Sequence, residues 1–406
     1  MDLIPIVRAL SRRKTGAILI ALQVALSVAI LSNCIAVVQQ RLAHMRRSSG
    51  MDEANIVTMA NQFAGTTEDL ASRIQADLAQ LRAIPGVVDA VAGQSFPLRG
   101  YGRSTGVWRA SDAKATTLNV ADYAFSERTL DSWGLKLIAG RNFTHAEIRE
   151  FQLGSKWLTS PVAIVTQALA RTLFPRGDAL GHDVYLASSA PSRIVGIVER
   201  AETPWAAHES ATYPAEYAVL EPTQWVATNV AYVVRTQPGR SAAVLTMAQK
   251  QLYALSRERV ISEAQTFEDT RADQYRSDRS LGLILIVVCA LLLAVTALGI
   301  IALTTYWVTQ RRRQIGMRRA LGARRGNIIQ YFQIENLLIA GAGAALGALL
   351  ALVGNLSLAT SLEMERVGVG YPCFGALIVV ALSQAAVTWP ALRAASLPPA
   401  AAIRGQ

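Results

Sequence analysis

Cysteine is scarce: three in 406 residues, Cys34, Cys289 and Cys373, each within or beside a long apolar run. The polar block between the first two apolar runs contains none. Disulfides are therefore excluded there, and its stability must come from a packed core. The three cysteines read as small apolar packing residues. Histidine is as sparse. His44, His145, His182 and His208 are scattered, with no Cys/His group at metal-ligand spacing. The sequence has no GxxxxGK[ST], which excludes ATP hydrolysis by the P-loop route from these residues, and no HExxH or GxSxG. The glycine-rich stretch at 100–106 (GYGRSTG) lacks the helix a phosphate loop requires and is expected to be a flexible hairpin. These absences point away from an enzyme and predict no cofactor or metal site on the chain.

What the chain has instead is long apolar runs. Residues 16–38 carry no charge; at 1.5 Å per residue such a run spans roughly 34 Å, enough for a bilayer core of about 30 Å. Residues 281–303 (LGLILIVVCALLLAVTALGIIAL) are equally long and more apolar. A third run is purest over 337–353 and a fourth covers 373–392. The pattern predicts an integral membrane protein. The first run is too long for a signal-peptide core, and residues 39–43 (QQRLA) offer no small-x-small cleavage site, so it is expected to be an uncleaved anchor. Leu31-Ser32-Asn33-Cys34 approaches a lipoprotein box, but Asn33 stands where a small residue is needed.

Acidic residues are few outside the polar block: Asp2, Glu335, Glu363 and Glu365. The net charge is +11, yet residues 39–278 hold 25 Lys/Arg against 25 Asp/Glu. The excess sits at Arg8, Arg12, Arg13 and Lys14, in seven arginines from 311 to 325, and at Arg393 and Arg404. Short basic loops stay cytoplasmic, whereas long domains cross largely regardless of charge. This places both termini and residues 311–327 in the cytoplasm, with 39–278 outside. A basic chain can signal nucleic acid, but here the basic residues flank apolar runs, so no nucleic-acid partner is expected.

The expected organisation is an amphipathic N-terminus (1–15), a first membrane helix (16–38), an outer domain with stalk helices (39–280), a second helix (281–306) and a cytoplasmic loop (307–330). A third helix (331–354), a short external loop (355–372), a fourth helix (373–393) and a tail (394–406) follow. Within the outer domain, 54–63 alternates as a strand, 66–82 has helical spacing with Thr66 or Thr67 as N-cap, and 87–92 is a strand. A second series is expected to begin with a strand at 162–165, a helix at 167–173 and strands at 183–187 and 193–198. Strands at 217–220 and 230–235 and a helix at 241–256 complete it. This alternation predicts an α+β domain of two β-α-β halves with an inserted lobe, the stretch 95–160 forming that lobe. Residues 262–280 read as helix running unbroken into the second membrane helix, and 39–47 as a continuation of the first, giving two helical stalks.

Three features of the membrane part suggest sites. Gly341, Gly343 and Gly347 fall on the third membrane helix, the last two four residues apart, a spacing that lets backbones approach closely. Glu335 lies near hydrocarbon depth within reach of the arginine loop and is expected to pair with one of its arginines. In that loop Ile315, Met317, Ala320, Leu321 and Ala323 interleave with arginines, and a topology signal by itself needs no apolar face.

The stretch RRRQIGMRRALGARRGNIIQYFQIENLLIAGAGAALG at 311–347 resembles the signature of FtsX-like permeases of the MacB type, where (R/K)-R-x-E-I-G-I-R-x-A-L-G-A joins the second and third membrane helices. Residues 83–93 (AIPGVVDAVAG), 126–144 (SERTLDSWGLKLIAGRNFT) and 161–186 (PVAIVTQALARTLFPRGDALGHDVYL) are similar to blocks of the MacB-like outer domain. Residues 389–405 (WPALRAASLPPAAAIRG) resemble the family's terminal motif. Gln314 stands where the family often has Glu. The resemblance implies the permease subunit of an ABC-type export complex in a bacterial inner membrane. It transmits ATPase-driven motion to the periplasmic domain, with ATP and Mg on a separate MacB-like ATPase subunit. It also implies a second permease copy, identical or related; whether a periplasmic adaptor and outer-membrane channel are engaged is not legible. The ATPase contact is expected on Arg312, Arg313, Ile315, Gly316, Met317, Arg318, Arg319, Ala320, Leu321, Gly322, Ala323, Arg324 and Arg325, apolar residues inserting and arginines on the rim. An FtsX-like regulator of an envelope enzyme and a lipoprotein-extraction permease are the alternatives. The substrate is not legible.

Overall fold

The computed structural model describes residues 14–65, 69–109, 117–152, 160–186, 190–208, 210, 212–321, 324–362 and 368–396. The chain divides into two compact units, Met1–Ala43 with Asp278–Gln406, and His44–Ser277.

A long helix, α1 (Lys14–Arg46), precedes a strand-helix-strand series: β1 (Ile56–Phe63), α2 (Leu70–Arg82) and β2 (Val87–Gly93). The chain returns to this substructure only at β11 (Asn229–Thr236), α5 (Ser241–Leu255) and β12 (Arg259–Thr266), which give a four-stranded sheet of order β12-β1-β11-β2. All three pairings are antiparallel, so each β-α-β half receives a strand of the other half between or beside its own. Both faces of the sheet are covered, which is why β1 is buried at seven of its eight positions. Val57 and Met59 of β1 and Val230, Tyr232 and Val234 of β11 pack with Ile74, Leu78 and Leu81 of α2 and Val244, Ala248 and Leu252 of α5. Their alternates Ile56, Ala231 and Val233 join Tyr123, Phe125 and Trp133 of the inserted lobe. A period of two on a doubly covered sheet reads as a nearly continuous apolar run.

The lobe between β2 and β11 contains β3 (Arg103–Trp108), β4 (Leu118–Phe125), α3 (Thr129–Trp133), β5 (Leu137–Gly140), β6 (Arg149–Gln152), β7 (Val162–Thr166), α4 (Gln167–Leu173), β8 (Asp183–Leu186), β9 (Pro191–Val198) and β10 (Ala218–Val226). Its strands run β4-β3-β8-β9-β7-β10-β6, and β10 also pairs with β4, closing a ring of six. A second core, with Val107, Val120, Val165, Leu169 and Val219, packs against α4. Asp89 of β2 ties the lobe to the sheet, accepting from Arg82 (2.9 Å), Arg128 (3.0 Å) and Ser132 (2.8 Å). Burial opposes ionisation of Asp89, but those donors outweigh it and hold its pKa below the usual carboxylate range.

Two halves with an inserted lobe are therefore present, but divided differently from the sequence reading. The lobe occupies 94–228 and includes the series at 162–198; the second half begins at β11. Residues 103–106 are strand, paired with 119–122, rather than a free hairpin. Residues 262–266 are strand as well, because pairing with β1 outweighs their helical spacing. Thr266 then caps α6 (Phe267–Gln274), its side chain accepting from the Asp269 amide at 3.2 Å, and Tyr275 separates α6 from the next helix. The stalk before the second apolar helix is thus broken. The proposed caps Thr66 and Thr67 lie outside the described residues.

In the other unit, α1 is joined by α7 (Arg276–Gln310), α8 (Arg312–Ala320), α9 (Arg325–Leu362) and α10 (Gly370–Ala395). Four helices among the described residues are long and apolar enough to cross a membrane: Thr15–Arg46, Arg276–Gln310, Arg325–Asn355 and Gly370–Ala395. Ile20, Val24, Val28, Ile300, Phe332, Ile339 and Val379 form their common core. The first and last stretches of the expected organisation, 1–13 and 397–406, lie outside the described residues, as do 363–367 of the expected external loop.

Candidate functional site

The connection between the second and third apolar helices is itself helical, and its two faces differ. Arg311, at the turn between α7 and α8, points inward. Its guanidinium donates to both oxygens of Glu335, at 2.8 and 3.0 Å, and approaches the Tyr331 hydroxyl at 3.5 Å. A planar guanidinium matches a carboxylate in this two-bond geometry, and the Glu335 side chain is only 4% exposed. The pair fixes the start of α8 to α9.

Ile315 is 6% exposed and packs in the helix core with Ile328 and Phe332. Gly316 is buried beside it. Of the expected inserting set, these two residues thus lie against the bundle and not on the exposed face. One helical face closes onto the bundle, and the residues spaced away from it face outward. Those are Met317, 48% exposed, Ala320, and Leu321, 89% exposed. Arg312, Arg313, Arg324 and Arg325 are exposed around them. The side chains of Arg318 and Arg319, and residues Gly322 and Ala323, lie outside the described set.

The three glycines separate as well. A Cβ at Gly343 would lie 2.5 Å from the Ala21 carbonyl oxygen of α1, and one at Gly347 would collide with the Ala25 carbonyl. Four residues apart on α9, the two meet positions four apart on α1, so two backbones are in direct contact. Gly341 has open space where its Cβ would be and takes no part in the α1 contact.

Polar contacts inside the bundle escaped the sequence reading. Ser27 of α1 shares a 2.7 Å hydrogen bond with Thr296 of α7, and Gln23 donates to the Val295 carbonyl at 3.2 Å. Asn336 of α9 donates to Ser383 of α10 at 3.2 Å. Arg41 and Asp278 form an ion pair at 2.8 Å. Gln23 and Asn336 were visible as amides within apolar runs, which is the signal that would have found them. Among the described residues no three His, Cys, Asp or Glu side chains come together to hold a metal ion. The arrangement positions the helices against one another.

Comparison with known proteins finds two matching families. Residues 17–252 match the MacB-like periplasmic core domain, and residues 286–399 match the FtsX-like permease C-terminal family. The macrolide export ATP-binding/permease protein MacB of Neisseria gonorrhoeae is 26% identical over 261 residues, covering 63% of this chain and 38% of its own length. Its counterpart from Paracoccus denitrificans is 28% identical over 292 residues, 69% of this chain and 39% of that protein. The chain thus spans under two fifths of the length of these relatives. Among solved structures, the periplasmic region of MacB from Actinobacillus actinomycetemcomitans covers 54% of this chain and 93% of its own, at 16% identity and a TM-score of 0.31.

Proposed function

The chain belongs to the family of FtsX-like permeases that carry a MacB-like periplasmic core domain, and on that premise we propose that it is the permease subunit of an ABC-type export complex. The carrying observation is the order of its parts. A core-domain match takes in the first apolar helix and most of the block after it, a permease match covers the other three helices, and α8, with exposed apolar and basic residues, links the second to the third. In this reading the four helices lie in a bacterial inner membrane with α8 and both termini in the cytoplasm, and residues 44–277 lie outside. The clustering of Lys and Arg at 8–14, 311–325 and 393–404 supports that orientation.

In this reading ATP hydrolysis falls to a nucleotide-binding partner that grips α8; the absence of a Walker A sequence from these residues is consistent with it. Met317, Ala320 and Leu321 enter an apolar notch on the partner, with Arg312, Arg313, Arg324 and Arg325 on the rim. The stroke passes along α1 and α7, the helices continuous in sequence with residues 44–277, and moves the outer domain without a polar path through the bundle. Such a path would need ionisable or hydrated groups lining it, whereas the polar side chains named above are engaged with one another or, for Gln23, with the Val295 carbonyl. A second permease copy, identical or related, completes the assembly. The Neisseria relative is named for macrolide export; for this chain we carry over the export class.

The test is co-expression with a MacB-type ATPase subunit. Stoichiometric capture of the ATPase and its stimulation by this chain are expected, with no turnover by the chain purified by itself. Steady ATP hydrolysis by the isolated chain overturns the assignment. Capture of an envelope hydrolase by the outer domain, with no export, replaces it with a regulatory role.

A further inference from the structure

The domain His44–Ser277 is joined to the rest of the chain at its two ends, and one arginine holds both. Arg271 of α6 donates from Nη1 to Glu53 Oε1 at 2.7 Å, and from Nη2 to the Met45 carbonyl at 2.8 Å and to the Arg47 carbonyl. Ser49 completes the same knot, giving Glu53 Oε1 its amide (3.0 Å) and its hydroxyl (2.8 Å). A buried carboxylate, Glu202, sits against this strap. Its amide donates to the Ser49 carbonyl at 2.9 Å, and its own carbonyl accepts from the Tyr123 hydroxyl at 2.6 Å. The backbone is thereby held on both sides and the side chain is fully buried. Yet neither carboxylate oxygen has a hydrogen-bond partner among the described residues.

We propose that Glu202 is a proton-operated switch on the Arg271 strap, keeping the two ends of the outer domain fastened when protonated and loosening them when ionised. A buried carboxylate without partners is tolerated as the neutral acid and costly as the anion. The cations acting on it are Arg271 on α6, Arg47 beside Ser49, and Arg200, which is itself paired with Glu216 at 3.1 Å. Glu53 is the opposing anion, and Tyr123 of β4 faces Glu202 through its hydroxyl. Burial pushes the Glu202 pKa up to about 7, against the pull of those three arginines. Once ionised, Glu202 must recruit a donor, and Arg271 can serve it only by giving up part of its hold on Glu53 and the two carbonyls. Glu53, repelled by the new charge, favours the same release. The switch is independent of the proposed transport role and concerns the outer domain by itself.

Hydrogen exchange on the full chain in detergent or nanodiscs, corrected for intrinsic rates, reads the strap directly at residues 45–53 and 267–276. Protection in the wild type is expected to fall about threefold or more from about pH 5.5 to about pH 8, since opening free energy governs exchange. Glu202→Gln, which keeps the shape of the neutral acid, should stay protected at both. An unchanged wild-type ratio, or the same pH dependence in Glu202→Gln, overturns the proposal. If Glu202→Gln does not fold, the wild-type comparison decides: a flat profile sinks it, and loss of protection confined to those two segments supports it.

Discussion

Asp77 shows how much of the outer domain can hang on one side chain. It accepts two bonds from Arg259, at 2.7 and 3.0 Å, and one from the Tyr232 hydroxyl at 2.6 Å, tying α2 to β12 and β11. Both charged side chains are at most 2% exposed, and the guanidinium also lies over the Phe63 ring, 5.2 Å from its centroid. Removing one partner of such a pair strands the other, so Asp77→Ala should cost the domain about 3–5 kcal/mol. Chemical denaturation followed by tryptophan fluorescence measures this, and an unchanged midpoint contradicts it. The glycines allow a paired test on a single helix. Gly347→Leu must push α1 away from α9 and should cost about 1–3 kcal/mol. Gly341→Leu, with open space around it, should leave the melting temperature of the purified chain unchanged. Equal losses in both would mean that helix propensity, and not the α1 contact, decides.

At the scale of elements, α8 gives the sharpest contrast. Ile315 faces the bundle and Leu321 faces outward, so the same polar change should produce different failures. Leu321→Asp should leave the chain folded and abolish capture of the ATPase, because it buries a carboxylate without a partner in the partner's notch. Ile315→Asp should lower the yield of folded chain itself. Reversing Arg312 and Arg313 to Glu should weaken capture and make it salt-sensitive, since exposed charge pairs are screened within about 10 Å at 0.1 M salt. Full capture and export by Leu321→Asp would reduce α8 to a topology signal. The sequence displayed the interleaving of apolar and basic residues in this segment, but not which apolar residues turn inward. Ile315 and Met317 are two positions apart and equally apolar; only the bundle packed against one of them distinguishes the two.

At the scale of the whole molecule, two expectations concern environment. In a cysteine-free background, Ala243→Cys should react with an impermeant maleimide from outside the cell, and Ser396→Cys only after permeabilisation. Labelling of Ala243→Cys solely after permeabilisation inverts the topology. Stability should also vary with pH. The folded-state pKa of Glu202, about 7, lies above its ordinary value of 4.5. Its favourable contribution is therefore complete below about pH 4.5 and is lost as pH rises through 7, a change of about 3 kcal/mol. Glu147 acts in the opposite sense. The Arg141 guanidinium, the largest influence on it, lowers its pKa to about 2. Its stabilisation is present above pH 4.5 and constant across neutrality. Denaturation midpoints of the wild type should therefore fall between about pH 5.5 and 8, and Glu202→Gln should flatten that slope. Identical slopes would remove Glu202 as the cause.

Membrane helices and the polar block between them were determined by the sequence itself, because a bilayer span demands a length and an apolarity that nothing else imposes. The β-α-β alternation was legible for the same kind of reason: period and breakers are local. Which strands belong to one sheet was not. β1 and β2 find β11 across more than 130 residues of inserted lobe, and no local pattern carries so distant a pairing. The strand at 262–266 was decided by the free edge of β1, against its own helical spacing. The switch at Glu202 arises in the same way: an acid in a loop looks like any solvated carboxylate until folding removes water from it and places Arg271, Arg47 and Arg200 within electrostatic reach. Periodicity and transfer free energy act along the chain, whereas register, desolvation and the facing of helices arise between segments and exist only once the chain has closed.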